Sequence, residues 1–220
     1  MNIAIDGPAG AGKSTIAKRL SGELGFLYLD TGAMYRAVAL AMLDKNVPAD
    51  NESEVAKVLE TADIDIRYEN GKQKVFLGGE DVSERIREHS VSKAASDFSA
   101  LPCVRLKMVE LQREIAGKTD TILDGRDIGT YVLPKAEIKF FLTASVEERA
   151  RRRYAELKEK GADCTLDGIR KDIETRDYND SHRAFAPLKK ADDAVEIDTT
   201  GMSIDEVTKF MLGIVNGKLK

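Results

Sequence analysis

Between the apolar run Ile3-Ala4-Ile5 and a helical pattern from Lys13 to about Leu24 stands Gly7-Pro8-Ala9-Gly10-Ala11-Gly12-Lys13-Ser14-Thr15. Three glycines let the backbone turn tightly and aim successive N–H groups inward at an anion. Ile16, Leu20 and Leu24 share one face of the helix, so its free N-terminal donors face back onto the loop. A glycine, four residues, then Gly-Lys-Ser is the spacing of a phosphate-binding loop. There the lysine (Lys13) reaches the β and γ phosphates and the serine (Ser14) binds Mg²⁺. The plain alternative is a glycine-rich turn that binds nothing; the flanking strand and helix make a chance match rare.

The chain has 220 residues, 42% hydrophobic and 33% charged, with a net charge of −4. Such a chain buries a sizeable core, and one domain with insertions is expected over two separate domains. The acidic balance argues against a nucleic-acid binder and for a local anion pocket. Cys103 and Cys164 show no metal-ligand spacing, no apolar run is long enough for a membrane span, and the first strand begins almost at Met1. A cytoplasmic protein without a targeting segment is the expectation.

Phe26-Leu27-Tyr28-Leu29 predicts a second strand, ending at Asp30-Thr31-Gly32-Ala33-Met34-Tyr35-Arg36. A helix from about Ala33 to Leu43 buries Met34, Val38 and Met42. Hydroxyl, Tyr and Arg at the carboxyl end of a strand stand where open α/β sheets bind ligands. After a polar helix over Glu52 to Ala62, Ile64, Ile66 and Tyr68 alternate, Asn70-Gly71 supplies a turn, and Val75 and Leu77 alternate on return. This predicts a small β insertion. Glu84 to Ser99 reads as a helix, and Pro102 to Ala116 as another with Val104, Met108, Leu111 and Ile115 as its stripe. Thr121-Ile122-Leu123-Asp124 is a strand ending in an acid, and Asp124 is the candidate to order Mg²⁺ or its water. Strands over Ile138 to Leu142 and Ala194 to Ile197, and a helix over Ile204 to Val215, complete a doubly wound parallel α/β core.

Two Arg-rich helices lie between the last two strands. Arg149, Arg152 and Arg153 share a face of the first; paired to nearby glutamates they could be merely solvated. In the helix from Leu166 to Arg183, the apolar positions Leu166, Ile169 and Ile173 continue at the same spacing into Arg176, Asp180 and Arg183. A face that turns from apolar to charged suits a wall facing an anion; the plain alternative is an exposed helix end. A phosphate loop with several separate arginines fits two phosphate-bearing ligands. Transfer between them needs little acid/base help, because the attacking group is already a phosphate oxygen anion. His89 and His182 sit in no catalytic pattern.

These stretches, with Ala94-Ala95-Ser96, Val104-Arg105, Asp124-Gly125-Arg126-Asp127-Ile128-Gly129-Thr130, Arg176-Asp177 and Asp180-Ser181-His182-Arg183 before Ala186-Pro187-Leu188, resemble the bacterial cytidylate kinases almost throughout the chain. The resemblance implies ATP-dependent phosphorylation of CMP and dCMP with Mg²⁺. It implies that Ser96, Arg105 and Asp127 face the cytosine, and that Arg176 and Asp180 hold the sugar. Arg36, Arg126 and Arg183 would hold the acceptor phosphate, with Thr31 and Tyr35 lining that pocket. Residues Gly7 through Thr15 and Arg152 would bind ATP; Lys13, Arg126, Asp124, Arg149 and Arg153 would serve the transfer; Ser14 would bind Mg²⁺ directly and Asp124 through water.

Residues 1–61, 102–147 and 184–220 are then the core, 62–101 an insertion binding the acceptor nucleotide, and 148–183 an Arg-rich lid and adjoining helix. Thr31 stands where many members carry Ser, and Asn179 where a charge is frequent; either could shift the choice between ribose and deoxyribose. A kinase of another small acceptor would lack a use for the β insertion. A non-catalytic GTP switch would need an Asn-Lys-x-Asp signature, which is absent, while Asp198-Thr199-Thr200-Gly201 lies too near the end to serve it. A monomer without nucleic-acid or membrane partners suffices for these roles.

Overall fold

The computed structural model describes residues 1–69, 71–159 and 161–219. The chain divides into two compact units, Met1–Tyr28 with Asp120–Lys220, and Leu29–Thr119. In chain order the elements begin β1 (Asn2–Asp6), α1 (Lys13–Leu24) and β2 (Leu27–Asp30), within which the second unit starts. That unit holds α2 (Thr31–Asp44), α3 (Glu52–Thr61), β3 (Ile64–Glu69), β4 (Lys72–Leu77), β5 (Glu80–Asp81), α4 (His89–Phe98) and α5 (Pro102–Ala116). The first unit resumes with β6 (Thr121–Gly125), β7 (Ile138–Thr143), α6 (Val146–Glu159), α7 (Leu166–His182), β8 (Val195–Asp198) and α8 (Ile204–Leu219). Among the described residues no helix is long and apolar enough to cross a membrane.

The expected α/β class holds. A five-stranded sheet runs in the order β2-β6-β1-β7-β8, with β1 parallel to β6 and β7, and β7 parallel to β8. Parallel strands covered on both faces must be apolar nearly throughout, and Ile3, Ile5, Ile122, Phe140 and Leu142 are buried together with Ile16 and Leu20 of α1 and Val207, Met211 and Val215 of α8. Each such large side chain contributes about 1.5–3 kcal/mol by leaving water. The register sets Ile5 opposite Asp124 and Asp6 opposite Gly125, so the phosphate loop and the Asp124-to-Asp127 segment leave the sheet side by side. Gly7 is fixed by that crowding: a Cβ there would lie 1.9 Å from the Leu142 carbonyl oxygen, and its φ is +144°. Helices α6 and α7 pack through Ala150, Ile169 and Ile173, joined by Val146, Tyr154 and Leu157.

In the second unit, α2 buries Met34, Val38 and Met42, the stripe read from sequence. Strands β3 and β4 pair antiparallel, and β5 adds a short third strand that sequence alone did not announce. Gly71 takes the positive φ of the expected turn; its partner Asn70 lies outside the described residues. The run expected as one helix from Glu84 to Ser99 is instead a single turn, Arg85–Arg87, and then α4. At Glu88 the backbone leaves the helix (ψ 148°). Ile86 and Val91, both buried, are five residues apart and would diverge by about 140° on an unbroken helix; the break lets both turn inward. On α5 the buried face is Val104, Arg105, Met108, Val109, Gln112 and Ala116, rotated from the expected stripe because the helix packs on both α2 and α3.

Candidate functional site

The loop after β1 ends on Gly12, which caps α1 in the left-handed conformation with no side chain occupying the helix's free donors. Those donors are left for an anion. Lys13 is buried, and its Nζ donates to the Pro8 carbonyl 2.8 Å away. Burial, then the nearby Arg126 charge, holds its ammonium well below the ordinary lysine range, with Asp124 opposing. A lysine so desolvated gains much from an arriving phosphate. Ser14 Oγ donates to Asp124 Oδ2 at 2.7 Å, and Tyr28 Oη donates to Asp124 Oδ1 at 2.8 Å.

Hydroxyl and carboxylate set side by side are hard oxygen donors that suit Mg²⁺, which takes one or two protein ligands and completes its shell with phosphate and water. Among the described residues no group of three or more His, Cys, Asp or Glu side chains could hold a metal ion.

Around this centre the first unit arranges its arginines against aspartates. Arg126 Nε donates to Asp180 Oδ2 at 2.7 Å, and Arg183 Nη2 to Asp127 Oδ1 at 3.1 Å. Arg183 also donates to the Ala186 carbonyl at 2.7 Å, and Leu188 N to the Asp180 carbonyl at 2.8 Å, so the Ala186-Pro187-Leu188 stop folds back on the end of α7. Burial pushes the Asp180 carboxyl up, but Arg126, with Arg176 and Arg183, brings it below the usual range. Asp180 is buried and Arg176 exposed, so the stripe expected on α7 divides between the two environments.

The Arg-rich helix α6 separates in the same way. Arg149 is 3% exposed, and donates to Ala144 O at 2.9 Å and Ala9 O at 3.1 Å while pairing with Asp177 at 2.7 Å. It braces the loop from outside. Arg152 bonds Glu148 and Thr199, whereas Arg153 is exposed beside Glu156. Ser14 and Thr15 are exposed at the start of α1.

The second unit presents its own candidates. Asp30 caps α2 by accepting from Ala33 N at 2.9 Å and pairs with Arg36 at 3.2 Å. Arg36 Nε is buried with no hydrogen-bond partner among the described residues, a donor suited to an acceptor group. Thr31 is buried. Arg105, 1% exposed, donates to Ser99 O at 3.3 Å and lies with its guanidinium 5.5 Å from the Tyr35 ring centroid. Ser96 is half-buried on α4.

Two residues were missed in the sequence. Tyr28 reads as one more apolar strand position, yet a buried phenol must find a partner, and it orients Asp124. Asp6, ending an otherwise apolar strand, was the visible signal of a second: its carboxylate accepts from Ile128 N at 2.8 Å and Gly129 N at 2.7 Å. Burial raises it to about 6 against those two donors, with Asp127 adding to the rise and Lys13 opposing it.

A parallel α/β sheet with a glycine loop, a buried lysine and an adjacent Ser-Asp pair at its carboxyl edge defines a phosphate-loop nucleotide-binding protein. Residues 3–217 match the family model described as Cytidylate kinase. The chain belongs to that family. It is 53% identical over 220 residues to the cytidylate kinase of Lactobacillus johnsonii, covering 100% of this chain and 96% of the relative. To that of Halalkalibacterium halodurans it is 52% identical over 219 residues, covering 100% and 99%. Among solved structures, an uncharacterized protein from Eubacterium ventriosum aligns with a TM-score of 0.56 at 12% identity over 98% of both chains. A Thermus thermophilus protein aligns at 0.50 and 19% identity over 100% of this chain and 98% of the other. At such identities these likenesses concern the fold alone.

Proposed function

We propose that this protein transfers the γ-phosphoryl group of ATP to CMP and dCMP, yielding ADP with CDP or dCDP by direct in-line displacement. The observation that carries this reading is the full-length relationship to cytidylate kinases at about half identity, laid over an intact phosphate loop. The acceptor oxygen is already an anion, so the site needs charge and position more than a base. Lys13 leaves the Pro8 carbonyl for the donor phosphates, and Arg126 stabilises charge on the group in transit. Residues Gly7 through Thr15 hold the donor, with Arg152 alongside; Arg149 and Arg153 serve the donor side from the Arg-rich segment 148–183, the lid of this reading. Mg²⁺, held by Ser14 and through water by Asp124, would offset the phosphate charge.

For the acceptor, Asp127, Arg105 and Ser96 read the cytosine: a carboxylate accepts from the exocyclic amine, and an Arg donates to the carbonyl oxygen and ring nitrogen. Arg176 and Asp180 hold the sugar. Arg36, Arg126 and Arg183 hold the phosphate beside Thr31 and Tyr35, and the insertion 62–101 belongs to this acceptor part. Asp127 pairs with Arg183 and Asp180 with Arg126, so carboxylates and guanidinium groups for base, sugar and phosphate stand side by side. A cytoplasmic monomer meets every role.

The test is an ADP-release assay with Mg-ATP and CMP, dCMP, UMP, dTMP, AMP or shikimate in parallel. Turnover strongest with CMP and dCMP is expected. Bound ATP without acceptor-dependent turnover would overturn the reading.

A further inference from the structure

Asp6 has no part in the roles above, yet it is among the most deeply placed charges in the chain, at 3% exposure. Both of its oxygens are committed, one to the N–H of Ile128 and one to that of Gly129. These N–H groups open the turn Ile128–Val132, and Asp127 occupies the position just before it. An aspartate there ordinarily folds its carboxylate onto the free N–H groups of its own turn. Asp127 makes no such bond; its carboxylate, buried as well, faces Arg183. The fit between β1 and the turn is close. A Cβ on Gly129 would lie 3.3 Å from Asp6 Oδ2 and 3.1 Å from Lys139 Cδ.

We propose that Asp6 is a positioning residue: it caps this turn from β1 in place of Asp127, and so keeps the Asp127 carboxylate off these N–H groups and on the side of Arg183, from which it reads the acceptor base. The proposal rests on the assignment of Asp127 as a reader of cytosine. It adds a specificity element that lies at the foot of the phosphate loop and touches neither substrate. Because Asp6 directly precedes Gly7, one strand end serves both substrates, the loop for the donor and the carboxylate for the acceptor.

The test is steady-state kinetics on the full chain carrying Asp6→Asn, Asp127→Ala, or both, varying CMP and ATP separately. Asparagine keeps the size of Asp6 but has one oxygen for two N–H groups. Asp6→Asn is expected to raise KM for CMP about tenfold, the scale of one buried hydrogen bond to a charge, and to change KM for ATP less than about twofold. In the Asp127→Ala background the same change should alter KM for CMP less than about twofold, because coupled residues are not additive. Equal rises in both KM values, or a full tenfold further loss in that background, would overturn the proposal. If Asp127→Ala alone left KM for CMP unchanged, the base assignment itself would fail and the proposal with it. Gly129→Ala disturbs the same contact with Asp6 intact and settles the case should Asp6→Asn not fold: a CMP-selective rise supports the capping role, and an unchanged KM for CMP overturns it.

Discussion

Lys13 illustrates how one residue carries opposite demands. Its burial costs stability, since among the described residues the ammonium has only the Pro8 carbonyl as hydrogen-bond acceptor, and the same burial strengthens its hold on phosphate in a water-poor site. Lys13→Ala should therefore lower kcat by about 10²–10³, the loss seen when a preorganised donor to transition-state charge is removed, without destabilising the fold; ADP release and thermal melting read the two. Tyr28 makes a different case. Its ring packs in the sheet core and its hydroxyl ends on Asp124, so Tyr28→Phe keeps the packing and removes only the donor. A loss of about 2 kcal/mol in urea unfolding is expected, as for a hydrogen bond to a charged acceptor; an unchanged midpoint would mean that Ser14 alone suffices to hold the carboxylate.

Among the elements, α2 depends on a residue at its entrance that does two things at once. Asp30 caps the Ala33 N–H and pairs with Arg36, so the two functions separate by substitution. Asp30→Asn keeps a capping oxygen and should cost a few tenths of a kcal/mol, whereas Asp30→Ala should cost about 1 kcal/mol more; chemical denaturation of both variants decides it, and equal losses would assign the effect to the ion pair. This helix was readable in the sequence because Met34, Val38 and Met42 repeat at helical spacing and small alanines fill its other faces, although Ala37, Ala39, Leu40 and Ala41 are buried as well. Elements whose buried faces carry polar side chains or change direction midway were less readable. The α5 face includes Arg105 and Gln112, polar types that no hydrophobic periodicity selects, and the break at Glu88 arises from tertiary burial of Ile86 and Val91, not from a local stop signal. The candidate site divides likewise: the loop and the acid ending β6 follow from strand-to-helix order, but the Arg126–Asp180 and Arg183–Asp127 pairings join residues more than fifty positions apart, a separation that spacing cannot resolve.

For the whole molecule, two buried carboxylates of opposite shift contribute in opposite senses to the dependence of stability on pH. Asp180 is held below the ordinary range by its arginines despite burial, so its contribution is present above the unfolded carboxylate pKa and is lost as pH falls through the lowered folded value. Asp6 acts in the reverse sense. Its folded value of about 6 lies above the ordinary 3.8, so between these limits the native chain binds more protons than the unfolded one, and stability falls as pH rises. The shift corresponds to about 3 kcal/mol when fully developed. Lys13 and Asp127, the charged groups acting on Asp6, oppose each other and leave burial as the controlling cause. The difference in unfolding free energy between the wild type and Asp6→Asn removes the titrations common to both. It should fall by about 2 kcal/mol from pH 4 to pH 7, most of it between pH 4 and pH 6. A difference independent of pH would show that the two backbone donors hold Asp6 ionised at the ordinary carboxylate value in spite of its burial.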